Sequence, residues 1–391
     1  MLYDFDEPVE RKNTDSIKYD GALQQGKPED VLPLWVADMD FRTPPFVIDA
    51  LVEKSKHGIF GYSENSPDYI EALQYWFLHG YNWHIDPDWL VKTPGVVYAF
   101  NAAIRAFTQK GDSVIIQQPV YHPFSGSVLL NQRNLVVNQL IYQNNSYSID
   151  FEDFEDKIIQ NRVKLFILCN PHNPVGRVWN IFELTRLGDI CVKYGVIVVA
   201  DEIHADFIFP GYKHYVFANI KPEFEKITIT CTAPTKTFNL AGLQISNIII
   251  ANPELKKAYK YEIACSGFSH AGIMGIIACQ AAYQPAGREW LSALLKYLQG
   301  NLDFLRNRLN ERMPQIKLVE PEGTYLIWLD CKALNLDTEQ LEELIIQKAK
   351  LWLIKGTVFG AGGEGFQRVN IACPKAILEK AMNQLEEAIN G

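Results

Sequence analysis

Four side chains of different chemistry occur in chain order beside short apolar runs. Asn173 supplies an amide and Asp201 a carboxylate. Lys236 supplies an amine and Arg368 a guanidinium. An amine can bond covalently to an aldehyde, a carboxylate can keep a ring nitrogen protonated, and a guanidinium binds a carboxylate through two parallel hydrogen bonds. The set matches a cofactor with an aldehyde, a pyridine nitrogen and a phenolic oxygen, and a substrate with a carboxylate.

Each residue also has an ordinary structural explanation when taken alone. Asn-Pro pairs usually form turns, an aspartate after a strand is often a helix cap, and a single lysine is usually solvated. For Arg368 the alternative is a buried structural ion pair. The functional hypothesis depends on these side chains meeting at one place. Asn173, Asp201 and Lys236 all follow predicted strands, and α/β sheets bind ligands beyond the carboxyl ends of their strands.

The middle of the chain alternates short β-branched runs with longer amphipathic stretches. This pattern predicts an α/β fold with a mainly parallel sheet between helices. The predicted strands are 114–118, 165–169, 196–200 and 227–231, and a helix is predicted over 180–194.

A change of pattern after about residue 282 predicts a second, smaller α+β domain. It contains a long helix over 290–309, strands at 317–319, 325–329 and 368–371, and a helix over 338–350. We therefore expect an N-terminal segment (1–45) that packs with the small domain or a neighbour, a large domain (46–282) and a small C-terminal domain (283–391).

Composition excludes several classes of protein. The 391 residues are 48% hydrophobic and 21% charged, as in folded globular proteins, and the net charge of −9 argues against a nucleic-acid or membrane partner. Seven scattered cysteines without a C-x-x-C pair indicate reduced thiols. With no signal peptide visible, we expect a cytoplasmic protein.

Two glycine-rich motifs and the histidines do not support other functions. Residues 360–365 fit G-x-G-x-x-G, but a predicted strand follows where a dinucleotide site needs a helix. Residues 21–27 resemble a P-loop, but Pro28 replaces the Ser or Thr that would bind Mg²⁺. The sequence has no H-E-x-x-H and no G-x-S-x-G, so we predict neither a metal site nor a serine hydrolase.

The chain resembles the fold-type I pyridoxal-phosphate enzymes of the class I/II aminotransferase superfamily over nearly its whole length. Four motifs carry a narrower resemblance: LWVADMDF at 34–41, PGVV at 94–97, DEIH at 201–204 and KTFNLAGL at 236–243. They resemble the MalY/PatB branch, whose members are cystathionine β-lyases, that is, cysteine-S-conjugate C–S lyases. The resemblance implies a seven-stranded, mainly parallel sheet in the large domain.

The resemblance implies a role for each chemistry-bearing residue. Lys236 would hold pyridoxal 5'-phosphate as a Schiff base and then act as base and acid at the substrate Cα. Asp201 would pair with the pyridine nitrogen, and Asn173 would donate to the phenolic oxygen. Tyr121 would stack on the cofactor ring, a buried core tyrosine being the alternative. Arg368 would bind the substrate α-carboxylate.

The phosphate is expected at Gly95, Val96 and Val97. They open a predicted helix over 97–108, whose free N–H groups and dipole favour an anion. Thr232 and Thr235 could add hydroxyl donors.

Two positions depart from the general aminotransferase pattern of a serine three residues before the lysine and an arginine eight after it. They are Ala233 and Gln244. Both departures favour the lyase branch over a typical aspartate aminotransferase.

Two further residues come from the resemblance alone. Tyr62 resembles a tyrosine that reaches the phosphate in the neighbouring subunit, which implies a homodimer with shared active sites. With Arg368 and Asn173, it is also an expected substrate contact. His204 stands where many aminotransferases have a tyrosine near the phenolic oxygen, so we expect it beside the cofactor.

The resemblance thus predicts α,β-elimination from a sulfur-containing amino acid, which gives pyruvate, ammonia and a thiol. Two alternatives stay open. An aminotransferase could use the same residues, and a regulatory protein could bind pyridoxal phosphate and a partner protein.

Overall fold

The computed structural model describes residues 3–64 and 66–390. Within these residues the strands are β1 (Leu32–Pro33), β2 (Leu90–Thr93), β3 (Ser113–Gln118), β4 (Asn134–Gln139), β5 (Ile141–Gln143), β6 (Ser146–Ser148), β7 (Leu165–Cys169), β8 (Ile197–Asp201), β9 (Thr228–Thr232), β10 (Ser246–Ile249), β11 (Lys317–Leu318), β12 (Leu326–Asp330), β13 (Leu351–Trp352), β14 (Ile354–Lys355) and β15 (Phe366–Asn370).

The described part of the chain also forms α-helices. They are α1 (Ile17–Asp20), α2 (Pro45–His57), α3 (Pro67–Tyr81), α4 (Val96–Phe107), α5 (Pro123–Leu130), α6 (Phe151–Asn161), α7 (Ile181–Tyr194), α8 (Pro222–Glu225), α9 (Pro234–Thr237), α10 (Pro253–Cys265), α11 (Ile273–Ala282), α12 (Pro285–Arg312), α13 (Thr338–Glu343) and α14 (Lys375–Asn390).

Seven strands form the large sheet, in the order β2-β10-β9-β8-β7-β3-β4. The five strands from β9 to β4 are parallel, and only β10 runs antiparallel to its neighbours. All residues of β3, β7 and β9 are buried, as expected for parallel strands covered by helices on both faces. The predicted α/β fold with a mainly parallel seven-stranded sheet is confirmed.

The register of the large sheet aligns the ends of its central strands. Asp201, the last residue of β8, pairs with Cys169 at the end of β7 and with Cys231 near the end of β9. The chain segments that leave these three strands therefore begin side by side at one edge of the sheet.

A second, antiparallel sheet has the order β11-β12-β15-β14. Helices α12 and α14 pack against each other in this part of the chain. The N-terminal segment contacts this part of the chain through a separate two-stranded sheet, in which Leu32 and Pro33 of β1 pair with Leu351 and Trp352 of β13. The division of the chain after residues 45 and 282 stays a prediction.

Two predicted helices differ in extent from the observed ones. α12 begins at Pro285, because proline is favoured in the first turn, where its missing N–H has no partner to lose. The helix predicted over 338–350 ends as an α-helix at Glu343 and continues as a π-helix over Leu344–Lys348.

No helix in residues 3–64 and 66–390 is both long enough and apolar enough to cross a membrane.

Gly323 lies between β11 and β12 of the small sheet and contacts the loops that follow β7 and β8 of the large sheet. Its N–H donates to Gly176 O at 3.0 Å, and it forms a β-bridge with Ile208. A Cβ at this position would lie 2.6 Å from Phe207 O and 2.8 Å from a methyl carbon of Val178. A side chain at this position would therefore force its neighbours to move.

We predict that Gly323→Ala lowers the free energy of unfolding by about 1–3 kcal/mol, because overpacking displaces the neighbouring backbone. Gly300→Ala in α12 is the matched control, since a Cβ there meets no atom within 4 Å and alanine favours the helix. Urea unfolding of the three proteins measures both effects. Equal stability of Gly323→Ala and the wild type would contradict the close packing.

Candidate active site

A cavity of about 310 Å³ opens at the carboxyl ends of β7, β8 and β9. Its wall combines residues of both sheets with part of the N-terminal segment. It includes ten of the residues singled out in the sequence: Gly95, Val96, Val97, Tyr121, Asn173, Asp201, His204, Thr235, Lys236 and Arg368.

The four chemistry-bearing residues reach the cavity from four different parts of the fold. Asn173 lies in the turn after β7, and Asp201 is the last residue of β8. Lys236 lies in the short helix α9, directly after β9, and Arg368 lies in β15 of the small sheet. The site is therefore complete only when the two sheets are packed together.

Asp201 is a buried carboxyl whose ionisation is disfavoured. Burial raises its pKa to about 7, and the neighbouring charge of Glu202 adds to this effect. The N–H of Ile203, which donates to Oδ1 at 3.2 Å, and the amine of Lys236 act in the opposite direction. Asp201 can thus hold or share a proton near neutral pH.

Lys236 has an amine that loses its proton more readily than an ordinary lysine. Burial lowers its pKa to about 8, and the charges of Asp38 and Asp201 only partly oppose this. Its Nζ donates to Ala37 O at 3.0 Å. A substantial neutral fraction near physiological pH makes Lys236 competent as a nucleophile and as a base.

The guanidinium of Arg368 makes two hydrogen bonds and has further N–H donors. Nη1 donates to Asn173 Oδ1 at 2.9 Å, and Nη2 donates to Trp35 O at 2.8 Å. Its Nε is buried without a hydrogen-bond partner among the described residues. Since a guanidinium has five N–H donors, a pair remains for a carboxylate. Asn173 accepts through Oδ1, which leaves its amide nitrogen as a donor.

The N-terminus of α4 forms another part of the wall. Gly95 is the N-cap, and Val96 and Val97 begin the helix, so their N–H groups have no partner within it. A Cβ at Gly95 would meet no atom within 4 Å, which indicates open space beside these donors. An anion can approach here closely.

Tyr121 and His204 are two further polar side chains of the wall, in addition to Thr235. Burial raises the pKa of Tyr121, and the charge of Asp201 adds to this. Burial lowers the pKa of His204 to about 3, with smaller effects from Lys236 and Arg368, so its ring stays neutral. Its Nδ1 is buried without a partner in the described part of the chain.

Two predicted residues lie outside the wall. The hydroxyl of Thr232 donates to Asn247 O at 2.9 Å, because this last residue of β9 directs its hydroxyl to the neighbouring strand β10. The expectation that it faces a phosphate therefore does not match its position. Tyr62 is 95% exposed, and its ring lies 5.4 Å from that of His270.

The sequence predicted no role for several residues that line the cavity. Trp35, Val36 and Ala37 lie in the motif at 34–41, which marked them as notable but did not show that they close the cavity. His122 follows Tyr121 directly, so its position was predictable. Ile354 comes from β14, and no local pattern distinguishes it from core residues.

Known proteins share this fold and chain length. Residues 29–385 match the family model described as aminotransferase class I and II. The chain is 40% identical to cystathionine beta-lyase PatB of Bacillus subtilis (strain 168), with 99% of this chain and 100% of PatB covered.

Solved structures agree with this relationship. A PLP-bound protein from Clostridium difficile 630, provisionally named an aminotransferase, superposes with a TM-score of 0.97 at 44% identity, with 99% of this chain and 100% of the other covered. Cystalysin from Treponema denticola, which contains pyridoxal 5'-phosphate, gives 0.96 at 37% identity, with 100% and 99% covered.

The raised pKa of Asp201 predicts a pH-dependent loss of stability in protein freed of bound small molecules. The folded chain binds this proton more tightly than the unfolded chain, where the pKa is about 3.9, so the free energy of unfolding falls as the pH rises from about 4 to 7. Asp201→Asn removes this titration. As the pH rises through that range, we therefore expect the free energy of unfolding of Asp201→Asn to increase relative to that of the wild type.

Urea unfolding at pH 4.5 and pH 8 measures the difference. Asp189→Asn serves as the control, because Asp189 is an exposed aspartate that pairs with Lys221 on the surface. If wild type and Asp201→Asn changed in parallel with pH, the proton of Asp201 would not be held as described.

Proposed function

Because this chain belongs to the aminotransferase class I and II family, we propose that it is a pyridoxal-phosphate-dependent lyase that cleaves cysteine S-conjugates. One observation carries the proposal: Lys236, Asp201 and Arg368 share one cavity with a helix N-terminus. The reaction type is supported by PatB, a cystathionine beta-lyase that is 40% identical to the chain, and the cofactor by cystalysin, which is 37% identical and contains pyridoxal 5'-phosphate.

The wall fits pyridoxal 5'-phosphate by the chemistry of its donors. The N–H groups of Val96 and Val97, beside the open space at Gly95, suit the phosphate. Thr235 can add a hydroxyl. Gln244 also lies in the wall at the position where the general pattern has an arginine, so the helix N-terminus carries more of the anion binding.

The remaining polar groups suit the ring of the cofactor. Asp201 can keep the pyridine nitrogen protonated, and the free amide nitrogen of Asn173 can donate to the phenolic oxygen. His204 supplies a neutral ring with an unpartnered Nδ1. Tyr121 provides an aromatic ring in the same wall. When bound, the cofactor supplies an electron sink for the electron pair at the substrate Cα.

The chain's own residues bind the amino acid and move its proton. Arg368 holds the α-carboxylate through the donors that Asn173 and Trp35 leave free. Lys236, neutral in part because of its lowered pKa, removes the Cα proton. The sulfur then leaves from Cβ as a thiolate, which is a fair leaving group because thiols have a pKa of about 8.5.

We predict that L-cystathionine gives pyruvate and ammonia over many turnovers without any added keto acid, since elimination regenerates the enzyme by itself. Pyruvate, ammonia and free thiol are measured together, and Lys236→Ala is expected to release none of them. An aminotransferase would instead consume about one amino-acid equivalent per site and stop until a keto acid was added. That outcome would replace the lyase proposal.

We further propose a homodimer whose active sites are shared, and a cytoplasmic location. Tyr62 supports the first, because its side chain extends into solvent in a single chain. Ile59 and Phe60 beside it are 67% and 57% exposed, so this stretch presents an apolar surface suited to a second copy.

The shared sites predict complementation between two inactive variants. In a mixture of Tyr62→Ala and Lys236→Ala chains, about half of the dimers are mixed and each has one intact site, so activity should recover to about a quarter of the wild type. Tyr212→Ala, at another exposed tyrosine, is expected to stay active by itself. No recovery after proven subunit exchange would refute shared sites.

A further inference from the structure

The segment of residues 34–41 contacts both groups that the proposed reaction needs, the base for the substrate Cα proton and the guanidinium for the α-carboxylate. Ala37 O accepts from Lys236 Nζ at 3.0 Å, and Trp35 O accepts from Arg368 Nη2 at 2.8 Å. These carbonyls are two residues apart, whereas Lys236 and Arg368 come from different sheets. The separation of the base from the carboxylate site therefore depends on where this segment lies.

Asn239 fixes the segment from the large-sheet side. Its Oδ1 accepts from Met39 N at 2.9 Å, and its Nδ2 donates to Met39 O and Phe41 O, each at 2.9 Å. Asn239 lies three residues after Lys236, in the stretch that follows α9. The same short stretch of chain thus carries the amine and a side chain that holds the segment containing the amine's acceptor.

Two other groups fix the segment from different directions. Asn370, two residues after Arg368, donates to Val36 O at 2.8 Å and to Asp38 O at 2.7 Å. Ion pairs join the buried Asp40 to the partly buried Arg11 at 2.8 Å and to the fully buried Lys18 at 2.7 Å. These charges are balanced by pairing, so removal of one would leave an uncompensated buried charge and risk unfolding.

The electrostatics of the segment act on the same amine. Burial lowers the pKa of Lys236, and the carboxylate of Asp38 is the largest charge that opposes this change. Asp38 is held in turn by Arg11 Nη2 at 2.7 Å. A displaced segment would therefore alter the position of Lys236 and its charge state together.

Resting on the function proposed above, we propose that Asn239 is a positioning residue, which clamps residues 34–41 so that Ala37 and Trp35 hold Lys236 and Arg368 at the separation one amino acid requires. Asn239 is not among the residues that line the cavity, so it acts through the segment. Misplacement of reacting groups by about 1 Å can reduce rates on the order of 100-fold, so a loosened segment has a measurable effect.

Asn239→Gly tests this role without creating a buried charge. The backbone of Asn239 has φ +58°, which glycine adopts without strain, so the variant removes three hydrogen bonds and little else. Asn335→Gly is the matched control, because Asn335 is an exposed asparagine at φ +54° after a short helical turn.

The probe is 3-(methylthio)propionate, a carboxylate with a thioether but no amino group, which therefore cannot react. For the cofactor-bound Asn239→Gly protein we expect its Kd, and the KM for L-cystathionine, to rise about ten- to hundredfold. Cofactor occupancy and the unfolding temperature should match those of Asn335→Gly. Hydrogen exchange should increase in residues 34–41 of the Asn239 variant only.

Two outcomes overturn the proposal. One is a wild-type Kd and KM in Asn239→Gly, and the other is a wild-type protein that binds no probe. Should the glycine variant fail to fold, Asn239→Asp keeps the acceptor for Met39 N but loses both donors, and an unchanged Kd there counts equally against the role. The lyase proposal fails separately, by absence of pyruvate, even where the probe binds normally.

Discussion

Asp201, Lys236 and Arg368 lie in one cavity of about 310 Å³, where burial opposes the charge on each of them. The pKa of Arg368 falls to about 10, and that of Lys236 to about 8. Such groups persist in a folded protein only when hydrogen bonds replace water. The carbonyls of Ala37 and Trp35 supply such hydrogen bonds to Lys236 and Arg368, and the N–H of Ile203 supplies one to Asp201. The chemistry of Lys236 and Arg368 therefore depends on how the N-terminal segment packs.

The surrounding architecture follows from this requirement. The parallel strands β7, β8 and β9 bring Asn173, Asp201 and Lys236 to one edge of the large sheet. The guanidinium of Arg368 comes instead from β15 of the small antiparallel sheet, which pairs with β12 and β14. Burial of these groups thus depends on contacts between the two sheets and the N-terminal segment.

Charge in the cavity wall favours anions. Lys236 and Arg368 face one carboxyl, Asp201, whose raised pKa keeps part of its population neutral. The N-terminus of α4 adds positive potential without a further side chain. This balance is consistent with the proposed binding of a phosphate and an α-carboxylate by a wall that has Gln244 in place of an arginine.

The sequence by itself determined the fold class and most of the chemistry, because apolar period and strand-end position are local properties of the chain. It identified Asn173, Asp201, Lys236 and Arg368, all of which line the cavity. Only the tertiary structure decided the rest. It directed the hydroxyl of Thr232 toward Asn247, and it made acceptors of the carbonyls of Ala37 and Trp35. Those carbonyls lie 199 and 333 residues from their donors, and backbone groups carry no sequence signal, so no local pattern could reveal the pairing.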